Sequence, residues 1–501
     1  MKLKTIVSIF AVFCFSVYVQ ACGKYQLTSE EKIIKITKKS KQSSHLSQAC
    51  KVSAKTLLDK TPTPGTILKE IVDKETGAII LELSNGAKVI LKNTAEPYYQ
   101  ERDRAFLSGL AKGGTMAVTS KDDIPSARFA TGILDCLPYT PDSPTDNDAA
   151  YLRANINAFE RCVKGYSSVK DTKKLFELIY QKFTGQDFDL GKVKNLVESG
   201  KKLSYRESES SIMINKVLYN NPHFYPDYLN NYSHCDFLIP YPNHSYSGYA
   251  VMSDCSKITP ERTIEFLKKC FNPADFTFVF VGNIDIETFK TYIKKYIASI
   301  TRSETLNNQK FTRPKPSKQE IYTDNKFETG VIRMSWVIDE KYSQKLKVAS
   351  KVLEAYINIV LYSTDLEPIC GVYLNPFFDE LYADIRYDWD DFVKPNERIS
   401  NVFKHMKNIA KGKINMDVFS KAKKAVRGLY GHEEGCTNDD GMASSYACSA
   451  VWHNAPLSEF ERFPLVCEAV SSKDLKDLAL RLLKGKYYQI IVYPKEINGA
   501  K

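Results

Sequence analysis

The 501-residue chain lacks most of the short signatures that assign an activity at sight. No C-x-x-C occurs, so neither a thioredoxin-like dithiol nor a ribbon-type zinc site is indicated. There is no Ser/His/Asp signature and no phosphate loop. No zinc finger, aromatic-rich basic strand or long basic helix offers the combination that nucleic acid needs. Low-complexity tracts are absent, which excludes a linker-like or collagenous chain. The apolar run within the first 21 residues is too short for a comfortable bilayer span, and no other stretch is long and apolar enough.

What is present is the composition of a folded protein. Hydrophobic residues make up 43% and aromatics 12%, enough to bury sizeable cores in more than one domain. The net charge of +11 reads as short lysine clusters spread along a solvated surface.

The first 21 residues have the form of an export signal. Lys2 and Lys4 precede an apolar run from Ile6 to Val19, and Val19-Gln20-Ala21 supplies small residues at −3 and −1. Export to the periplasm, the cell envelope or the medium is the expectation. Cys22 follows the cleavage point and is a candidate for lipid attachment, although Gln20 fits that signal poorly. Membrane contact is expected only through that lipid. Removing Cys14 and Cys22 leaves ten cysteines, an even number that permits disulfides in an oxidising compartment. Cys235–Cys255 and Cys436–Cys448 are the locally plausible pairs; buried small apolar side chains are the alternative.

Residues 22–63 form a polar leader that ends at the breaker Thr61-Pro62-Thr63-Pro64-Gly65. Ala78 to Leu83 and Ala87 to Leu91 then flank Ser84-Asn85-Gly86, a hairpin signal. Ser126 to Leu137 has a helical pattern, Tyr151 to Gly165 alternates as strands, and Val169 to Phe183 and Phe188 to Glu207 return to helix. Asn221 to Ser256 shows no period and carries eight aromatic residues, four prolines, three histidines and two cysteines, so it reads as an insertion. Thr259-Pro260 opens a helix, Asp275 to Gly282 is a buried strand, and Ile286 to Ile300 is a helix.

The helix-then-strand ending recurs at Ser472 to Leu483 and Tyr487 to Tyr493, which suggests two related domains. The expected boundaries are 64–301 and 319–501, joined by a linker over 302–318. In the second domain Lys345 to Tyr362, Pro395 to Ile409 and Met416 to Tyr430 read as helices, and Leu381 to Trp389 as a strand. Strands and helices without strict alternation predict α+β domains, each a mainly antiparallel sheet packed with helices.

Gly65-Thr66-Ile67, Leu83 through Lys92, the pair Gly113-Gly114 and the closing strand Phe276 to Ile284 occur in an order that resembles the second half of pitrilysin/insulinase-type metallopeptidases. The resemblance runs from about residue 64 to 496. Active members carry zinc on an H-x-x-E-H helix, where the two His bind the metal and the Glu activates water. None of the seven histidines here (45, 223, 234, 244, 405, 432 and 453) begins that motif, and the corresponding stretch Ser126 to Gly132 has no ligand. Zinc is therefore expected only in a partner.

The family's second half also supplies an Arg and a Tyr seven residues apart at the substrate. Gly371-Val372-Tyr373 keeps the Tyr end, but Leu366 stands where the Arg belongs. Tyr373 is the one candidate substrate contact, against the plainer reading of a packed tyrosine. His432-Glu433-Glu434 with Asp439-Asp440, and His234, Cys235, His244 and Cys255, hold metal-capable atoms without zinc spacing. The resemblance implies a non-catalytic chamber half that binds peptide and pairs with an H-x-x-E-H subunit or with itself. The rival is a stand-alone envelope protein that binds through the aromatic insertion.

Overall fold

A computed structural model describes residues 61–94, 103–132 (except 119 and 121), 150–184 (except 158), 190–202, 213, 214, 217, 257–307, 315–322, 330–362, 369–375, 379–389, 395–429 and 439–493. The export signal with Cys22, the leader up to residue 60, the insertion 221–256, Leu366, Cys436 and His432-Glu433-Glu434 lie outside them.

Among the described residues twelve strands form two mixed sheets. In chain order they are β1 (Ile67–Val72), β2 (Ile79–Leu83), β3 (Lys88–Asn93), β4 (Arg104–Lys112), β5 (Ala150–Ile156), β6 (Glu160–Ser168), β7 (Phe276–Gly282), β8 (Lys318–Tyr322), β9 (Gly330–Asp339), β10 (Ile369–Asn375), β11 (Glu380–Trp389) and β12 (Lys486–Tyr493). The first sheet runs β1-β2-β3-β7-β4-β6-β5 and the second β10-β11-β9-β12-β8.

Reading the second sheet backwards exposes a repeat. The order β8-β12-β9-β11-β10 matches β3-β7-β4-β6-β5, strand for strand. In each sheet the closing strand lies parallel to the strand opening that unit, β7 beside β3 and β12 beside β8. All other pairings are antiparallel. The two domains are thus built alike, with β1 and β2 added to the first. The Asn-Gly hairpin forms as its chemistry predicts: Gly86 takes φ +88°, which costs a glycine little, and β2 pairs antiparallel with β3.

The helices are α1 (Ile124–Gly132), α2 (Thr172–Thr184), α3 (Leu190–Lys202), α4 (Pro260–Cys270), α5 (Ile286–Tyr292), α6 (Gln344–Tyr362), α7 (Pro395–Ala410), α8 (Met416–Leu429), α9 (Asp439–Cys448), α10 (Glu459–Ala469) and α11 (Ser472–Lys484). Thr259 caps α4 by accepting the Arg262 N–H, with Pro260 in the first turn. Ser471 and Asp474 close a capping box on α11. Asp439 and Asp440, named above among metal-capable residues, stand in the first turn of α9, where carboxylates suit the exposed N–H groups.

Each sheet buries one face under its own domain's helices. Phe276, Phe278 and Phe280 of β7 meet Phe176 and Phe183 of α2 at ring distances of 5.0–5.4 Å. In the second domain Met334, Trp336, Ala383 and Ile385 pack with Val352, Leu353, Val402, Leu475 and Leu478 from α6, α7 and α11.

The opposite faces are covered differently. Ile90, Leu110, Val279 and Val281 of the first sheet are covered by Met442, Tyr446 and Ala447 of α9 and by Leu457 and Phe460. A helix of the C-terminal segment therefore completes the core of the first sheet. No disulfide links two described residues. Cys162, Cys270, Cys370 and Cys467 are buried thiols. Burial also pushes the Cys270 thiol up to about 12, with the Arg161 charge opposing it.

Candidate functional site

Tyr373 sits on β10, an edge strand of the second sheet, directly opposite Tyr382 of β11. Alternation along β10 turns Cys370, Val372 and Leu374 into the helix-covered core and leaves Tyr373 on the other face. There its ring lies 5.3 Å from that of Tyr382, and only 7% of the residue is exposed. Val331, Tyr488, Ile490 and Val492 line the same face of the sheet, and Phe159 and Ile214 of the first domain belong to the same apolar cluster.

Polar groups gather beside this pair. Arg333 of β9 donates from Nε to Asp384 Oδ1 at 2.9 Å and from Nη2 to the Tyr382 hydroxyl at 3.4 Å. Ser335 donates its hydroxyl to the same Asp384 oxygen. Sequence reasoning looked for an Arg seven residues before Tyr373 and found Leu366. The tertiary structure brings a guanidinium next to the neighbouring tyrosine from another strand. Asp384 faces Ser335 across β9 and β11, and Arg333 reaches it diagonally from two residues away, a placement set by the sheet register that no local signal marks.

The outer edge of β10 is closed from the side by α6. Glu354 accepts the Val372 N–H at 2.7 Å, and Asn358 donates to the Cys370 carbonyl at 3.2 Å. An unpaired strand edge is a pairing hazard, and these two side chains blunt it. Lys351 holds Glu354 at 3.0 Å. Burial still raises the Glu354 carboxyl above the ordinary carboxylate range, against the pull of Lys351 and the Val372 N–H.

The stretch matched above to the zinc helix is α1. Its sequence, Ile-Pro-Ser-Ala-Arg-Phe-Ala-Thr-Gly, offers no imidazole, carboxylate or thiolate. Ser126 is already committed, accepting the N–H of Thr259 at 3.0 Å and so tying α1 to the start of α4. Among the described residues no group of three or more His, Cys, Asp or Glu is placed to hold a metal. The donor set of α1 does not fit zinc.

Two contact systems outside the sequence reading fix this arrangement. In the first, Trp452 sits in a π-helical turn (Ser449–His453) that follows α9 and packs against both the first-sheet core and the face around Tyr373. In the second, Arg161 of β6 is fully buried. It donates to Gly113 O at 2.8 Å, Cys270 O at 2.9 Å and Asp275 Oδ2 at 2.9 Å. Asp275 in turn accepts the Leu306 N–H at 3.3 Å, which anchors the chain leaving the first domain.

Comparison with known proteins agrees with this architecture. Residues 257–426 match the family described as the peptidase M16 inactive domain. A zinc protease PQQL-like protein of Arabidopsis thaliana is 24% identical over 253 residues, 49% of this chain and 22% of that protein. The periplasmic protease PqqL of Escherichia coli superposes with a TM-score of 0.63 at 13% identity, over 88% of this chain and 48% of that one. A peptidase M16 inactive domain from Pseudomonas fluorescens gives 0.58 at 13% identity, over 83% and 98%. The aligned part thus spans about half of the E. coli protease and under a quarter of the plant protein. With its repeated sheet order and the matched segment 257–426, the chain is similar to pitrilysin/insulinase-type (M16) peptidases, and the similarity is to their inactive, C-terminal-half type.

Proposed function

We propose that this non-catalytic peptidase-like half is one wall of a peptide-holding chamber, completed by a separate subunit that carries the H-x-x-E-H helix and its zinc. The carrying observation is α1: the stretch that the sequence resemblance makes the counterpart of the zinc helix holds no metal-binding side chain. Pairing with a second copy of this chain is the homo-oligomeric form of the same idea, but it would assemble a chamber without zinc.

The role left to this half is to hold peptide. Tyr373 is the residue proposed to touch it. Its phenol lies on the non-helical face of the second sheet, beside the Arg333–Asp384–Tyr382 group. Tyr373 is 7% exposed, so in this reading peptide contact requires the side chains packed on that face to give way. Export is proposed on the Lys2–Ala21 signal pattern and on the periplasmic setting of the E. coli relative.

Native purification from the source organism tests the proposal, with mass spectrometry of co-purifying chains and zinc analysis. A stoichiometric H-x-x-E-H partner that carries the zinc, and whose peptidase activity falls on separation, is the expected result. A zinc-free chain purifying alone and inert on peptides would overturn it in favour of a stand-alone envelope binding protein.

A further inference from the structure

The positive charge of this chain is not evenly spread, contrary to the sequence reading. Between Lys404 and Arg427 stand eight Lys or Arg residues against a single Asp, a surplus of seven within a chain whose net charge is +11. Lys404 and Lys407 stand on the exposed side of α7 and Lys411 follows at the same spacing just past its end, while Val402, Met406 and Ile409 of the helix enter the core. The tight turn after α7 adds exposed Lys413.

The neighbouring α11 extends the same surface. Its Lys476 lies against the turn, 3.7 Å from where a Cβ on Gly412 would stand. None of Lys404, Lys407, Lys411, Lys413 and Lys476 makes an ion pair among the described residues. By contrast, Lys345, Lys351, Lys423 and Lys473 of the same domain each hold a carboxylate. Two large apolar side chains stand out beside these lysines: Met416 is 58% exposed at the start of α8 and Leu480 is 36% exposed one turn beyond Lys476.

We propose that this α7–turn–α11 face docks on a bilayer rich in anionic phospholipid. Clustered lysines gain from the negative potential of such a surface, and exposed Met and Leu side chains between them can enter its interfacial layer. Lysine is a point charge on a flexible stem, suited to many diffuse headgroups. A single defined carboxylate or phosphate would favour the forked geometry of arginine. The five cations are exposed on two packed helices, α7 and α11, and in the turn that follows α7. The proposal is independent of the chamber-half reading and needs neither a partner subunit nor a lipid on Cys22.

Flotation of the full-length chain with vesicles tests it, using phosphatidylcholine alone and phosphatidylcholine with about 30% phosphatidylglycerol. Binding should need the anionic lipid and should fade at about 0.5 M salt, where screening shortens the reach of the charges. The variant K404Q/K407Q/K411Q/K413Q/K476Q should lose at least about tenfold in bound fraction. A control with five exposed lysines removed from the first domain, K170Q/K174Q/K194Q/K268Q/K294Q, should stay within about twofold. Circular dichroism of both variants guards against unfolding. Equal binding to both vesicle types, or equal loss in both variants, would overturn the proposal. Capture by immobilised polyglutamate with no vesicle binding would also overturn it, pointing to an acidic polypeptide instead.

Discussion

Trp452 donates its indole N–H to Glu160 Oε2 at 2.6 Å, across 292 residues of sequence. Glu160 belongs to β6 and is 1% exposed, and its other oxygen accepts from Asn157 at 3.0 Å. Lys112 of β4 lies over the Trp452 ring at 5.0 Å. A buried carboxylate is tolerated only with such partners, so this bond ties the C-terminal segment to the first sheet at a fixed place. The same turn sets Phe159 against the face that carries Tyr373.

Removing the indole N–H should loosen that tie. Trp452→Phe keeps most of the apolar contact but deprives a buried carboxylate of a donor, a loss of about 1.5–3 kcal/mol. Glu160→Gln in the same background should cost much less than it does alone, a coupling that a double-mutant cycle in urea measures. Additive losses would mean that the two residues act separately.

Arg161 carries the second tie. Arg161→Met should cost about 3–5 kcal/mol, because Asp275 is left as a buried charge without its partner. Arg161→Lys should recover little, since one ammonium cannot reach Gly113, Cys270 and Asp275 together. Hydrogen exchange should rise at Ser303 and Leu306, whose N–H groups bond to Asn272 and Asp275.

Glycine at 113 is required twice over. Its φ is +95°, and a Cβ there would stand 2.1 Å from the Leu306 carbonyl oxygen. Gly77 has φ +70° but nothing within 4 Å. Gly77→Ala should therefore cost only the backbone penalty of about 1–2 kcal/mol, and Gly113→Ala clearly more. Similar melting temperatures for the two variants would contradict this.

At Tyr373 two substitutions separate packing from contact. Tyr373→Ala should destabilise the fold by about 3–5 kcal/mol, because the ring is buried against Tyr382 in an apolar cluster. Tyr373→Phe should leave the fold within about 1.5 kcal/mol of the parent. In the complex with the proposed catalytic subunit, Tyr373→Phe should weaken peptide retention several-fold. Unchanged retention would reduce Tyr373 to a packing residue.

The pH response should include a term from His405. Burial, with help from the Lys404 charge, lowers its pKa below 6.5 in the folded chain. The unfolded chain therefore takes up that proton first as the pH falls. The contribution is complete above about pH 6.5 and is lost as the pH drops from there through the folded value. His405→Gln should flatten the melting temperature over that window, and an unaltered slope would locate the effect elsewhere.

The sequence by itself determined the local elements. The Asn-Gly hairpin, the Thr259-Pro260 helix start and the apolar run of β7 each rest on interactions a few residues apart, and each stands where expected. The repeated helix-then-strand ending was visible for the same reason, since both closing strands are largely apolar runs after capped helices. The absence of ligands in α1 needed no coordinates at all.

Only the tertiary structure decided which distant residues meet. β4, with its interrupted Ser-Gly centre, and β10, short and flanked by Pro368 and Pro376, gave no clean period, and they find their places through pairing. Arg333 reaches Tyr382, Arg161 reaches Asp275 and Trp452 reaches Glu160 because sheet register and a helix borrowed from the C-terminal segment bring them together. The lysines on α7 and α11 become one face for the same reason. Local propensity acts over one helical turn or one hairpin, whereas these contacts close loops of up to hundreds of residues and depend on both sheets being formed.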